Sequence, residues 1–272
     1  MDIPIAARAM TRMFSNLSCS ELEDLIEISN GFRAARPADH AISYKANAVV
    51  PREPWRKLEP GELSTAFELS QEWEPHKSIA ILRHSAALLS LFDREQPAII
   101  RSGFQVVAQS VVETIAKECD IAPDYTFCGV TVNESGMPTV SMNKREGKLV
   151  GLHVDSWDNL PLYQRRGAKN RLSINIGPST RHVLFAPINL EDMRLKLNQE
   201  RAIAVDLPML PMVFMREFAD FPVVRCRLEP GLSYIIPTEC MLHDGSSADQ
   251  TINTRQFVIR GYIRPRHNNL VD

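Results

Sequence analysis

His153 and Asp155, in the run Gly151-Leu-His-Val-Asp-Ser-Trp157, are the side chains from which chemistry is most readily built. On an extended strand, residues two apart point to the same side, so this imidazole and carboxylate project together. They make two arms of a metal site and leave the third to come from elsewhere. If that third ligand is another histidine, three adjacent positions of an octahedron are filled and three stay open. That is the facial triad that suits Fe(II) in oxygen chemistry. Alone the pair says little: with seven His in 272 residues, H-x-D arises by chance in about one such sequence in three. The competing reading is a surface histidine beside a turn-capping aspartate.

Context comes from further along. Leu228-Glu-Pro-Gly-Leu-Ser-Tyr-Ile-Ile-Pro237 is a turn leading into a strand, and His243 sits just past it with small residues behind. Twelve positions later Arg255 opens the strand Gln256-Phe-Val-Ile-Arg-Gly-Tyr-Ile263. The planar fork of an arginine takes a carboxylate through two parallel hydrogen bonds, which fits a dicarboxylate ligand.

The order H-x-D, Pro-Gly turn and strand, distal His, then Arg resembles the iron(II)/2-oxoglutarate-dependent oxygenases. The resemblance covers roughly residues 125–265 and rests on those four positions. It implies an α+β protein with a double-stranded β-helix (jelly-roll) core flanked by helices. It makes His153, Asp155 and His243 the iron ligands, with 2-oxoglutarate and O₂ as cosubstrates and succinate and CO₂ released. Arg255 would bind the distal carboxylate of 2-oxoglutarate, with Arg260, on the opposite face of the same strand, as its competitor. One departure touches Arg255: Phe257 stands where some of these families place Ser. Related halogenases lack the carboxylate, so Asp155 points to hydroxylation, desaturation or ring closure instead of halogenation.

Other polar residues carry weaker signals. In Asn170-Arg-Leu-Ser-Ile-Asn-Ile-Gly177, Leu172, Ile174 and Ile176 form one face and Arg171, Ser173 and Asn175 the other. That polar row is either a pocket lining or a solvated outer face, and the solvated reading is slightly favoured. Trp157 is a pocket wall or core. His182 and His267 read as structural or exposed, and His40, His76 and His84 have no partner at metal-ligand spacing. Cys240 reads as packing, and Arg165-Arg166 as a solvated loop with a substrate clamp as the alternative.

The elements that must position these groups divide the chain, read here as a single domain over 1–272, into two halves. Residues 1–124 read as mainly helical support. A Ser20–Glu23 capping box opens a helix that runs to Asn30-Gly31, another spans about Ser78–Phe92, and a third runs from about Gly103 to Cys119 with Val106, Val107, Val111 and Ile115 as its stripe. Pro97 punctuates the last two, and 36–60 reads as loop. From 125 to 265 short strands follow at turn-punctuated spacing, interrupted by an insertion at 189–222. This insertion and the helical half are expected to fold over the mouth as a lid.

Composition narrows the partners. Thirty-one Lys+Arg against 33 Asp+Glu leaves a net charge of −2, which disfavours nucleic acid and anionic membranes. No apolar run is long enough to span a bilayer, and Met1-Asp2-Ile3-Pro4 lacks the flank of a secretory signal. Five scattered cysteines without a C-x-x-C pair point to a reducing compartment, the cytoplasm. G-x-S-x-G, P-loop and G-x-G-x-x-G motifs are absent. The expected substrate is a small molecule, an amino acid or derivative or a secondary metabolite. The oligomeric state is not encoded legibly. A 2-oxoglutarate-independent metalloenzyme of the cupin type and a non-catalytic jelly-roll binding module stand as alternatives.

Overall fold

The computed structural model describes residues 11–69, 72–92 and 105–266, with the backbone alone for 105–108. Met1–Pro4, Pro97, His267 and the Val106 and Val107 side chains lie outside the described residues. Two sheets stack face to face. The larger runs in the order Glu68–Leu69, Arg12–Ser15, Ser78–Arg83, Leu232–Ile236, Asn170–Asn175, Thr254–Gly261, Thr126–Asn133. The smaller runs Met241–Ser246, Arg181–Asn189, Val223–Leu228, Ile26–Ser29, Trp55–Lys57. His153 adds an isolated antiparallel bridge to His243, extending the smaller sheet past its first strand. From Asn170 to Gly261 each successive strand crosses to the other sheet. The single exception is the antiparallel pair Arg181–Asn189 and Val223–Leu228, whose connection carries the insertion.

Side-chain alternation explains the layering. Ile79, Ile81, Tyr234 and Ile236 point inward from the larger sheet against Ile28, Val183, Phe185, Val224 and Met241 of the smaller. The other face of the larger sheet, with Leu172, Ile174, Phe257 and Ile259, is covered by Val111, Val112 and Ile115 of the helix Gln105–Ile115. Each such side chain, fully removed from water, contributes roughly 1.5–3 kcal/mol.

The insertion forms two helices, Leu190–Arg201 and Leu210–Glu217. Asn189 caps the first by accepting from the backbone N–H groups of Glu191 and Asp192. These helices are not a lid over the mouth. Leu190, Met193, Leu197, Leu210 and Phe214 pack on Leu184, Ile188, Val223 and Leu242, so they buttress the outer face of the sheet that carries His243.

The amino-terminal half departs most from the sequence reading. Its described part holds the helices Cys19–Leu25 and Leu63–Ala66 and the helical residues 86–92 before Gln105–Ile115, but it also supplies strands to both sheets. The capping box is Ser18 with Glu21, not Ser20 with Glu23, and the helix stops at Leu25 because Ile26–Ser29 pairs with Val223–Cys226. Tertiary pairing of a short β-branched run overrides local helical spacing here. Ser78–Arg83 is a strand, and only residues 86–92 of that stretch are helical. Ile79, Ala80, Ile81 and Leu82 are all buried, and a run apolar on both faces has no period to betray it. Within 36–60, Val49–Pro51 and Trp55–Lys57 are also strands.

Candidate metal centre

His153 and His243 face each other across the bridge, exchanging two backbone hydrogen bonds of 3.1 and 2.9 Å. Directly opposed residues project to one side of a sheet, and the two rings lie tilted with centroids 4.7 Å apart. Each ring is held by its own chain. Nδ1–H of His153 donates to the carbonyl of Gly151 at 2.8 Å, and Nδ1–H of His243 to that of Met241 at 3.1 Å. Those bonds set the tautomer and turn each Nε2 toward the Asp155 carboxylate. Gly151 is required where it stands: its φ is +76°, and a Cβ would lie 2.4 Å from the carbonyl oxygen of Val49.

Asp155 completes the group. Its Oδ1 is 3.5 Å from His153 Nε2 and its Oδ2 is 3.7 Å from His243 Nε2. One ligand atom from each of the three residues lies within 4.8 Å of the others. Adjacent ligands about 2.1 Å from a shared ion sit about 3 Å apart, so a shift of at most about an ångström per side chain closes the site on a cation. The electrostatics fit that role. Burial would raise the Asp155 carboxyl, but the neighbouring His153 imidazole and the Arg171 guanidinium hold it well below the usual carboxylate range. Burial pushes His243 down to about 3, leaving it neutral, and its Nε2 is buried with no hydrogen-bond partner. An orphaned imidazole nitrogen aimed at a carboxylate is what a metal ligand looks like without its ion. The donor set of two imidazole nitrogens and one carboxylate therefore fits a divalent transition metal.

The arginines fall out differently from their spacing. Arg255 is not brought to this group: by alternation it shares the face of Phe257, which packs on the opposite side of the sheet. Arg260 does face inward, yet both of its Nη atoms engage Asp158, at 3.0 and 2.6 Å, and one also engages Glu239. The row Arg171, Ser173, Asn175 is not a solvated outer face. Ser173 and Asn175 are buried, and Arg171 donates to Asp155 Oδ2 at 2.7 Å. Arg165 is buried while Arg166 is exposed and paired with Glu191.

One inward arginine escaped the sequence reading. Arg181 shares the face of Val183 and Phe185 and is 1% exposed, and its Nε and Nη1 have no hydrogen-bond partner among the described residues. Its Nη2 lies against Gly245, where an added Cβ would sit 2.7 Å away. Gly245 is two positions beyond His243 on the same strand and so on the same face. The signal available in the sequence was the spacing Arg181-x-Val183-x-Phe185, a cation in register with core residues.

The remaining candidates stay apart from the centre. Trp157 is 63% exposed. Burial pushes His182 down to about 4, and His84 contacts Ser233 and Glu118 on the far side of the larger sheet. His40 Nδ1 accepts from Ile42 N–H, and His76 lies beside Glu74. Cys240 is buried with its thiol on the carbonyl of Arg165.

No family model matches the sequence, and no curated protein matches it. Among solved structures the chain is similar to the Kdo hydroxylase KdoO, described as a non-heme Fe(II) alphaketoglutarate dependent dioxygenase. Its complex with succinate and Fe(III) aligns at 12% identity over 72% of this chain and 82% of that one, with a TM-score of 0.37. Its cobalt(II) complex aligns at 13% over the same shares, with a TM-score of 0.38. A likeness at this level carries no weight beside the geometry of the centre itself.

Proposed function

We propose that this chain is an Fe(II)/2-oxoglutarate-dependent oxygenase that hydroxylates a C–H bond of a small molecule. The alternation of strands between the two sheets supports reading its core as a double-stranded β-helix, with the metal between the sheets at one end. The observation that carries the proposal is the convergence of His153, Asp155 and His243, with His243 Nε2 buried and without a hydrogen-bond partner among the described residues. Iron bound there, with 2-oxoglutarate and O₂, supplies an oxidation that turns the cosubstrate into succinate and CO₂ and places oxygen on the substrate.

The chain's own residues have separable tasks. His153 and His243 offer Nε2 and Asp155 one carboxylate oxygen, while Arg171 holds the other oxygen. Arg181 takes the distal carboxylate of 2-oxoglutarate, in place of Arg255 or Arg260. A guanidinium buried without a counter-charge in contact costs several kcal/mol, and a carboxylate anion relieves that cost. Nη2 of Arg181, over Gly245, is about 7 Å along the strand from His243, a distance a short dicarboxylate bridges. Phe185, Ile236 and Met241, all buried, exclude water from the walls. No helix among the described residues is long and apolar enough to cross a membrane, and all five thiols are free, which supports a reducing compartment, the cytoplasm.

The test is anaerobic titration with Fe(II) and 2-oxoglutarate, following the weak visible band of the chelate, with succinate measured once O₂ is admitted. Asp155→Ala and His243→Ala are expected to lose both signals. Retention of both in either variant overturns the ligand assignment. Iron binding without the band marks a 2-oxoglutarate-independent metalloenzyme.

A further inference from the structure

Asp155 lies outside any strand, so no sheet ladder fixes where its carboxylate sits. Its place is set by the segment 237–240, which leads into the strand of His243. The Asp155 N–H donates to the carbonyl of Thr238 at 2.8 Å. Arg165, 6% exposed, joins the two segments: one Nη donates to the carbonyls of Asp155, at 2.9 Å, and Glu239, at 2.6 Å. Its Nε donates to the carbonyl of Leu160 and its other Nη to the hydroxyl of Ser156. All four bonds thus go to carbonyls or a hydroxyl, and none to a carboxylate. Behind it, Glu239, whose side chain is fully buried, accepts from the Asp158 N–H and from Arg260, which also grips the Asp158 carboxylate.

We infer that Arg165, supported by Arg260 and Glu239, is a clasp that presets Asp155 opposite His243 before any metal arrives. Arg165 and Arg260 are then positioning residues of the metal centre. The inference rests on the metal-site reading above. A planar guanidinium that holds Asp155, Ser156 and Leu160 of one segment and Glu239 of the other at once fixes their spacing, which a flexible ammonium does not. Partners that orient ligands without touching the ion typically change metal affinity 10- to 100-fold.

The test is anaerobic titration of the full chain with cobalt(II) alone, read from the visible absorption of the bound ion. Wild type, Arg165→Lys, Glu239→Gln and the exposed neighbour Arg166→Ala are compared, with circular dichroism and melting of each metal-free protein. Arg165→Lys and Glu239→Gln are expected to bind about 10- to 100-fold more weakly, with an altered band shape, while Arg166→Ala matches wild type. A purely structural role moves the melting temperature but not the affinity or band shape of the protein that remains folded. If the folded variants bind cobalt as tightly as wild type, the clasp is overturned and the metal site stands. If wild type itself binds no cobalt, the metal site falls and the clasp's role with it.

Discussion

Arg165 and Arg181 are both buried arginines near the same histidine, and they are opposites. Arg165 spends its donors on three carbonyls and a hydroxyl, within a loop that the fold needs closed. Arg181, in the sandwich interior, has two nitrogens without hydrogen-bond partners among the described residues. A satisfied buried charge is explained by the structure it ties together. An unsatisfied one is a cost the fold carries for something it binds. Burial alone does not separate the two; the inventory of partners does.

The contrast is sharpest under one substitution made at both places. Arg181→Met keeps volume and removes the charge, so 2-oxoglutarate affinity is expected to fall by about 100-fold or more, as for loss of one partner of a buried charge pair. Calorimetry on the cobalt-loaded protein checks it, and an unchanged affinity removes Arg181 from the cosubstrate site. The same Arg181→Met protein, free of ligand, is expected to be more stable than wild type by ~1–3 kcal/mol, since a lone buried charge has been replaced by packing. Arg165→Met is expected to be less stable by ~2–4 kcal/mol, because buried carbonyls lose their donors. Denaturant unfolding of both gives the signs, and equal losses erase the distinction.

Which parts of this were legible follows the same line. His153 and Asp155 are readable because H-x-D is a local spacing and histidines are few, although Asp155 lies outside any strand and is placed by the segment 237–240 instead of by period two. His243 was readable because a turn and strand precede it. Arg255 was favoured by its distance from His243, but the facing of a strand is set by parity: Phe257 and Ile259 pack under the helix, and Arg255 goes with them. Arg181 is missed because its register with Val183 and Phe185 shows only that it faces inward, and a strand arginine looks alike in text whether or not something balances its charge. The amino-terminal strands were lost for another reason. Ile79 to Leu82 are buried on both faces, and Ile26–Ser29 is too short to show a period against the helix before it.

Two smaller effects probe each side. At Gly245→Ala the new Cβ would meet Arg181 Nη2 and Val140 Cγ2, each 2.7 Å away. Both are ends of side chains that give way, so the fold is expected to survive. The displaced guanidinium should weaken 2-oxoglutarate binding by about 10-fold, within the span of a misplaced charge-assisted bond. An affinity equal to wild type would place the anion elsewhere.

On the other side, the hydrogen bond from Arg260 holds the Asp158 carboxyl below its ordinary range. A depressed folded value means stability that is present above the unfolded carboxylate value, about 4, and lost as pH falls through the folded one. Asp158→Asn cannot titrate, so its stability relative to wild type should be lowest at neutral pH, with the gap beginning to narrow below about pH 4 as the pH falls toward the folded value. The side chain is partly open to solvent, at 32%, so screening keeps the gap small. Urea unfolding of both proteins at pH 7 and pH 3.5 measures it. Parallel curves at the two pH values would mean that the ion pair with Arg260 does not help to hold the Asp155 loop in place.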